Sequence, residues 1–274
     1  MGNSVKLVIS DIDGTLLNAK HNITGELKKA VKRVSANNIP VVLASARAPQ
    51  GMYPIAKKLA IQSNPLVSYN GAYILKMHEQ NELQSLKSHP MKKEAVIRIV
   101  ETVKKKFTEI SINIYAKNNW FVEKDDIWIK IESSITKLMP TKVHFDSLSK
   151  DETIEVHKLL LIGEKDEIQE LVAYLKILQL EGVTFYLSKE NYLEIVAANV
   201  SKETAVKELA GYYRISTKEI LTIGDQFNDI PMLKLAGVGV AMGNAPEEVK
   251  KAATFVTTSN NNDGAAKALI DHVL

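Results

Sequence analysis

The stretch "KLVISDIDGTLLN" (6–18) decides the reading of this chain. A short apolar run rich in β-branched residues ends at two aspartates, Asp11 and Asp13, followed by Gly-Thr. The run reads as a buried strand. Two carboxylates at its end repel each other and resist desolvation, so they need a partner that compensates for their charge.

Working outward, Thr24 fits as the cap of a helix with apolar positions at Leu27, Ala30, Val31 and Val34. "IPVVLA" (39–44) reads as a second buried strand, 49–61 as a helix with prolines near its start, and "PLVSYNGAYIL" (65–75) as a third strand with a turn at Asn70-Gly71. This β-α-β-α-β order predicts a parallel sheet with helices on its faces. The middle reads differently. "LQSLKS", "SINIYA", "WFVE", "VHKLLLIG", "VTFYLS" and "YLEIVA" are strands interspersed with helices at 91–107, 125–139 and 164–180, which predicts an antiparallel or mixed sheet. From Ser201 strict alternation returns: helix 201–213, strand "EILTIG" (219–224), helix 228–236, strand "GVGVAM", a helix from Pro246, strand "TFVTT" and a last helix from Asp263. The expected architecture is α/β, with a discontinuous core (1–85 and 189–274) interrupted by an α/β cap (86–188).

In open α/β sheets ligands bind beyond the carboxyl ends of the strands. Asp11 and Asp13 follow the first strand, Ser45 and Arg47 the second, Asn70 the third, and Asp225, Asn228 and Asp229 follow "EILTIG"; Lys202 opens the helix after "YLEIVAANV". Five separate stretches thus deliver polar groups to one rim. Converging carboxylates at Asp11, Asp13 and Asp225 call for a hard cation, and Mg²⁺ completed by a phosphate fits oxygen donors. Asp11 is then placed to attack phosphorus and form an aspartyl-phosphate. Asp13 is placed to protonate the leaving oxygen and later to activate water. Ser45 and Lys202 would hold the phosphoryl oxygens. Arg47 and Asn70, on the same rim, are further candidate phosphate or substrate contacts. Blander readings exist for each: Asn70 is a turn former, Arg47 fits a structural ion pair, and an isolated helix lysine such as Lys202 is usually solvated.

"DIDGTLL" (11–17), "VVLASAR" (41–47), "SKETAVKELA" (201–210) and "GDQFNDIPML" (224–233) together resemble the four motifs of the haloacid dehalogenase-like phosphatases. "YNGAY" and "VAMGNAPEEVKKAA" are similar to segments of the Cof-type sugar-phosphate phosphatases within that superfamily. The resemblance implies a Rossmann-like core with a large inserted α/β cap, Asp11 as nucleophile and Asp13 as acid and base. It implies Mg²⁺ held by Asp11, the Asp13 carbonyl and Asp225, with Asp229 in support, and phosphate contacts from Ser45, Lys202 and Asn228. The chain departs from the pattern at two places: Ser45 and Ala46 stand where the second motif usually has Thr-Gly, the serine keeping the hydroxyl, and Glu203 follows Lys202 where Gly is usual.

Other classes are disfavoured. Lys and Arg number 35 against 32 Asp and Glu, a net +3 that does not call for nucleic acid. No cysteine is present, which excludes disulfides and thiolate metal sites. "GVGVAMG" lacks dinucleotide-loop spacing, and "HEQNE" (78–82) is not a zinc helix motif. "MGNSVK" (1–6) has Lys6 where a myristoylation motif wants a hydroxyl residue. No apolar run approaches a membrane span and no signal-peptide pattern opens the chain, so the expectation is a soluble cytoplasmic protein. Lys104, Lys105 and Lys106 read as a solvated helix end, and Trp120 and Trp128 as packing residues. The expected ligand is a small phosphorylated metabolite; oligomeric state is not legible. Two rivals share the residues: a phosphotransferase or mutase with the same intermediate, and a noncatalytic phosphometabolite-binding protein.

Overall fold

The computed structural model describes residues 4–77 and 82–274. The first residues of "MGNSVK" and nearly all of "HEQNE" lie outside the described residues. In chain order the elements are β1 (Leu7–Ser10), α1 (Gly25–Ala36), β2 (Val41–Ala44), α2 (Pro49–Lys58), β3 (Leu66–Ser68), β4 (Tyr73–Met77) and β5 (Leu83–Ser88). Then come α3 (Lys93–Lys106), β6 (Ser111–Ala116), β7 (Asn119–Val122), α4 (Ile127–Thr136), β8 (Thr141–Lys142), α5 (Phe145–Lys150), β9 (Val156–Ile162), α6 (Lys165–Ile177), β10 (Val183–Lys189) and β11 (Tyr192–Ala197). The chain closes with α7 (Lys202–Tyr213), β12 (Ile220–Gly224), α8 (Ile230–Leu235), β13 (Val238–Ala241), α9 (Glu247–Ala252), β14 (Phe255–Val256) and α10 (Gly264–His272).

Two compact units result. The first holds the chain up to Arg47, Met52–Lys87 and Ser201–Leu274; the second holds Ser88–Val200 with Ala48–Gly51. The first unit is built on a sheet of order β14-β13-β12-β1-β2-β3-β4-β5. The six strands from β14 to β3 are parallel, and β4 turns back antiparallel to β3. Their residues are apolar on both faces because helices cover both, so β1, β2 and β12 are buried at every position. α1 follows its expected cap closely: the Thr24 hydroxyl accepts from the Leu27 amide at 3.2 Å, and Leu27, Ala30, Val31 and Val34 are its buried stripe.

The decisive topological point is the centre of this sheet. From β1 the chain winds outward through β2 and β3 on one side, and through β12, β13 and β14 on the other. The order reverses between β1 and β12, which pair in register from Leu7↔Ile220 to Ser10↔Ile223. A crevice forms outside the carboxyl ends at such a reversal.

The second unit carries a sheet of order β10-β11-β9-β6-β7-β8. It is antiparallel except for β7 beside β8, as the clustering of strands in the sequence predicts. Val96, Ile99, Val100 and Val103 of α3 and Ile168, Leu171 and Leu175 of α6 are buried in its core. Trp120 is a packing residue: its indole N–H donates to Asn113 at 2.9 Å and its ring stacks on Tyr115. The lysine run is tied down locally, with Lys104 on Glu123, Lys105 near Glu101 and Lys106 over the Tyr174 ring.

The sequence reading ended the insert at 188, and the structure moves that boundary. β11 hydrogen-bonds to both β9 and β10, so the second unit continues to Val200. At the other end, β5 is the edge strand of the first sheet, so the unit starts at Ser88 rather than 86. β8 and α5 were not anticipated; two and six residues are too short to carry a periodic signal. Among the described residues no helix is long and apolar enough to cross a membrane.

Thr24→Ala removes the cap of α1 while leaving its buried stripe untouched. The expected loss is about 1 kcal/mol, read as a lower urea midpoint, and Thr24→Ser should restore most of it.

Candidate active site

Asp11 is delivered by β1 and held by it: its amide donates to the Ile223 carbonyl of β12 at 2.9 Å. Asp225 follows β12 directly, so the two carboxylates flank the sheet reversal. Gly14 is what lets them approach. Its φ is +77°, and a Cβ there would lie 2.3 Å from Asp225 Oδ2. The glycine of the opening motif is thus required both by backbone conformation and by space. Thr15 then donates its hydroxyl to Asp225 Oδ1 at 2.7 Å, and Gln226 donates its amide to Oδ2 at 3.0 Å.

Asp229 sits beneath this pair. Its Oδ2 accepts the Asp225 and Gln226 backbone N–H groups, each at 2.9 Å, which fixes the loop after β12. Its Oδ1 accepts from Lys202 Nζ at 2.6 Å. Lys202 opens α7, whose cap is Ser201, with the Thr204 amide donating to its hydroxyl at 3.0 Å. The lysine is 1% exposed, and its ammonium bridges Asp229 and Asp11, reaching Asp11 Oδ1 at 2.5 Å.

Asp11, Asp225 and Asp229 place oxygens within 4.8 Å of one another, all buried. Three carboxylates thus face one ammonium, which leaves negative charge in excess. Burial, reinforced by Asp229 and Asp225, pushes the Asp11 carboxyl above its ordinary range against the pull of Lys202. Burial does the same to Asp225, with Asp229 adding to it. For Lys202 burial opposes the charge, but Asp11 and Asp229 override it and hold the ammonium protonated. The donor set is hard oxygen, and its charge is uncompensated by protein, so it fits a small dication such as Mg²⁺. Asp229 has both oxygens engaged by amides and Lys202, so it supports the arrangement rather than offering a free ligand oxygen.

The other residues form a connected run beside this cluster. Arg47 donates from Nε to Asp13 Oδ2 at 2.7 Å and from Nη2 to Oδ1 at 2.6 Å. The Arg47 amide donates to Ser45 Oγ at 3.2 Å, the Asn70 amide to the Ser45 carbonyl at 2.9 Å, and Asn228 Nδ2 to Asn70 Oδ1 at 3.1 Å. Asn70 is therefore a turn residue, with φ of 57°, and also the partner that orients Asn228. All nine sequence-predicted residues lie in the first compact unit. Sequence reasoning gave Arg47 as a phosphate or substrate contact, with a structural ion pair as the alternative; the structure pairs its guanidinium with Asp13. It missed Thr15 and Gln226 as supports of Asp225, although both are direct neighbours of motif aspartates or their glycine.

The two departures from the family pattern are accommodated. Ala46 is not in the left-handed region, so its methyl carries no backbone strain. Glu203 pairs with Lys207 one helical turn on, at 2.5 Å, which engages its charge along the helix.

The family model for haloacid dehalogenase-like hydrolases matches residues 8–269. The chain belongs to that family. A Haemophilus influenzae relative, provisionally named a phosphatase, is 38% identical over 96% of this chain and 97% of its own. A Bacillus subtilis 5-amino-6-(5-phospho-D-ribitylamino)uracil phosphatase is 28% identical over 98% of each chain. Among solved structures, a haloacid dehalogenase-like hydrolase from Bacteroides thetaiotaomicron superposes with a TM-score of 0.87 at 30% identity, covering 98% of this chain and 99% of its own.

The raised carboxyls predict a pH effect of defined sign. Between the ordinary carboxylate range and their folded values, the metal-free protein holds protons that the unfolded chain has released. Its stability from these groups is full below that window and falls as pH rises through it. A dication that takes the ionised carboxylates reverses the loss. The gain in melting temperature on adding Mg²⁺ should therefore be larger at about pH 8 than at about pH 5. Equal gains, or none, would count against a cation site here.

Proposed function

We propose that the protein is a Mg²⁺-dependent phosphomonoesterase acting on small phosphorylated metabolites, sugar phosphates first, through an aspartyl-phosphate on Asp11. The observation that carries this reading is the buried Lys202 ammonium gripping Asp11 at the carboxyl edge of β1, with Asp225 across the sheet reversal. Such a site suits a nucleophilic carboxylate meeting an anionic, oxygen-rich substrate.

Asp11, the Asp13 carbonyl and Asp225 would hold the ion, with Asp229 in support. When bound, it would neutralise charge on the carboxylates and on a phosphate. Asp11 attacks phosphorus while Asp13 protonates the leaving oxygen. Lys202 keeps Asp11 oriented and, with Ser45 and Asn228, faces the phosphoryl oxygens. Asp13, now a carboxylate, takes a proton from water as that water attacks phosphorus, which releases phosphate and restores Asp11. The named Bacillus subtilis relative acts on a phosphorylated polyol chain, and that supports a small hydroxylated ester as substrate class.

Asp11→Asn should cut turnover of p-nitrophenyl phosphate by at least about a thousandfold without unfolding the chain. Chelation should abolish wild-type turnover and added Mg²⁺ should restore it. Substantial activity in Asp11→Asn, or full activity in chelator, would refute the reading.

A further inference from the structure

The Arg47–Asp13 pair is more elaborate than stability requires. Its two parallel hydrogen bonds have fork-to-fork geometry. Yet the side chains are 33% and 46% exposed, and such solvated pairs contribute only about 0–1 kcal/mol. The backbone at Arg47 is tied down with comparable care. Its carbonyl accepts the Ser68 hydroxyl at 2.6 Å and the Tyr69 amide at 3.2 Å, and its own amide donates to Ser45 Oγ. Ser68 and Tyr69 are fully buried at the end of β3, so the guanidinium projects from a fixed base. Asp13 lies in the tight turn after β1, bridged to Leu17 and beside Gly14 with its positive φ, and its side chain projects from that turn 46% exposed.

We infer that Arg47 is a positioning residue that fixes the plane of the Asp13 carboxyl for proton transfer. The same group must give a proton to the leaving oxygen and take one from water, at one angle to the phosphorus, in both half-reactions. Each carboxylate oxygen has two lone pairs. The fork occupies one on each oxygen and leaves the others aimed in a fixed direction. A freely rotating aspartate would lose that aim, and misplacement is costly in proton transfer. Lysine at position 47 keeps the charge but cannot hold both oxygens in a plane. This role differs from binding phosphate, and it rests on the phosphatase reading above.

The test compares wild type with Arg47→Lys and Arg47→Gln on two substrates, p-nitrophenyl phosphate and an alkyl phosphate such as glycerol 3-phosphate, with inorganic phosphate as competitive inhibitor. p-Nitrophenolate leaves without a proton; an alkoxide does not. Both variants should lower kcat/KM, which reports only the first half-reaction, by about ten- to a hundredfold on the alkyl phosphate and by less than about threefold on p-nitrophenyl phosphate, and leave the inhibition constant for phosphate unchanged. In an Asp13→Asn background, Arg47→Lys should have no further effect on the alkyl phosphate. Equal losses of kcat/KM on both substrates, or a phosphate inhibition constant that rises in step with KM, would overturn the inference and return Arg47 to the phosphate. Circular dichroism and urea midpoints close to wild type would show that the variants are folded, and a variant that unfolds would make the pair structural and likewise overturn it. A wild-type protein inactive on both substrates would instead undo the phosphatase reading itself.

Discussion

The site depends on one buried ammonium. Lys202 comes from the first turn of α7, yet its Nζ lies between Asp11, 191 residues earlier, and Asp229, 27 residues later. A buried charge must be matched, and a lysine that grips two carboxylates holds both against their mutual repulsion. It also fixes the relation of β1 to the loop after β12. Because Asp229 spends its other oxygen on the Asp225 and Gln226 amides, the position of Asp225 follows from the position of Lys202. The carboxylate edge is therefore one unit rather than three independent residues.

This unit is possible because of where the sheet reverses. β1 and β12 are neighbours with their carboxyl ends together, so two loops distant in sequence start from adjacent points. Glycines then clear the last ångströms. Gly14 makes room for the Asp225 carboxylate, and a Cβ at Gly224 would meet Asp229 Cγ at 2.5 Å. The uncompensated charge that results is unfavourable for the metal-free protein and favourable for a cation bound with an anionic ester. The same electrostatic arrangement thus disfavours the empty site and favours the loaded one.

Much of this was legible in the sequence. The alternation of buried strands with amphipathic helices predicts the parallel sheet, and "SDIDGT" and "GDQFND" place their aspartates at strand ends. The Thr24 cap and its apolar stripe were read to the residue because local capping and 3.6-residue periodicity determine them. What sequence could not resolve depends on side-chain direction or on long-range pairing. Nothing local distinguishes an arginine aimed at phosphate from one aimed at Asp13, and the structure put Arg47 on Asp13. Nothing local says that β11 pairs with β9 rather than with the core, so the insert boundary fell too early. Thr15 and Gln226 were passed over because hydroxyl and amide residues are common in loops, and only the partner across the sheet reversal reveals their role.

The claim beneath the rest is that Asp11, among the buried carboxylates, is the one that bonds to phosphorus. Borohydride reduces an acyl phosphate to an alcohol, so quenching the working enzyme with it converts a phosphorylated aspartate to homoserine. Mass spectrometry of the peptide carrying residues 7–20 should then show homoserine at position 11 only when substrate and Mg²⁺ are both present. Homoserine at Asp225 or Asp229, or steady turnover with unmodified Asp11 under conditions where phospho-enzyme accumulates, would contradict the account.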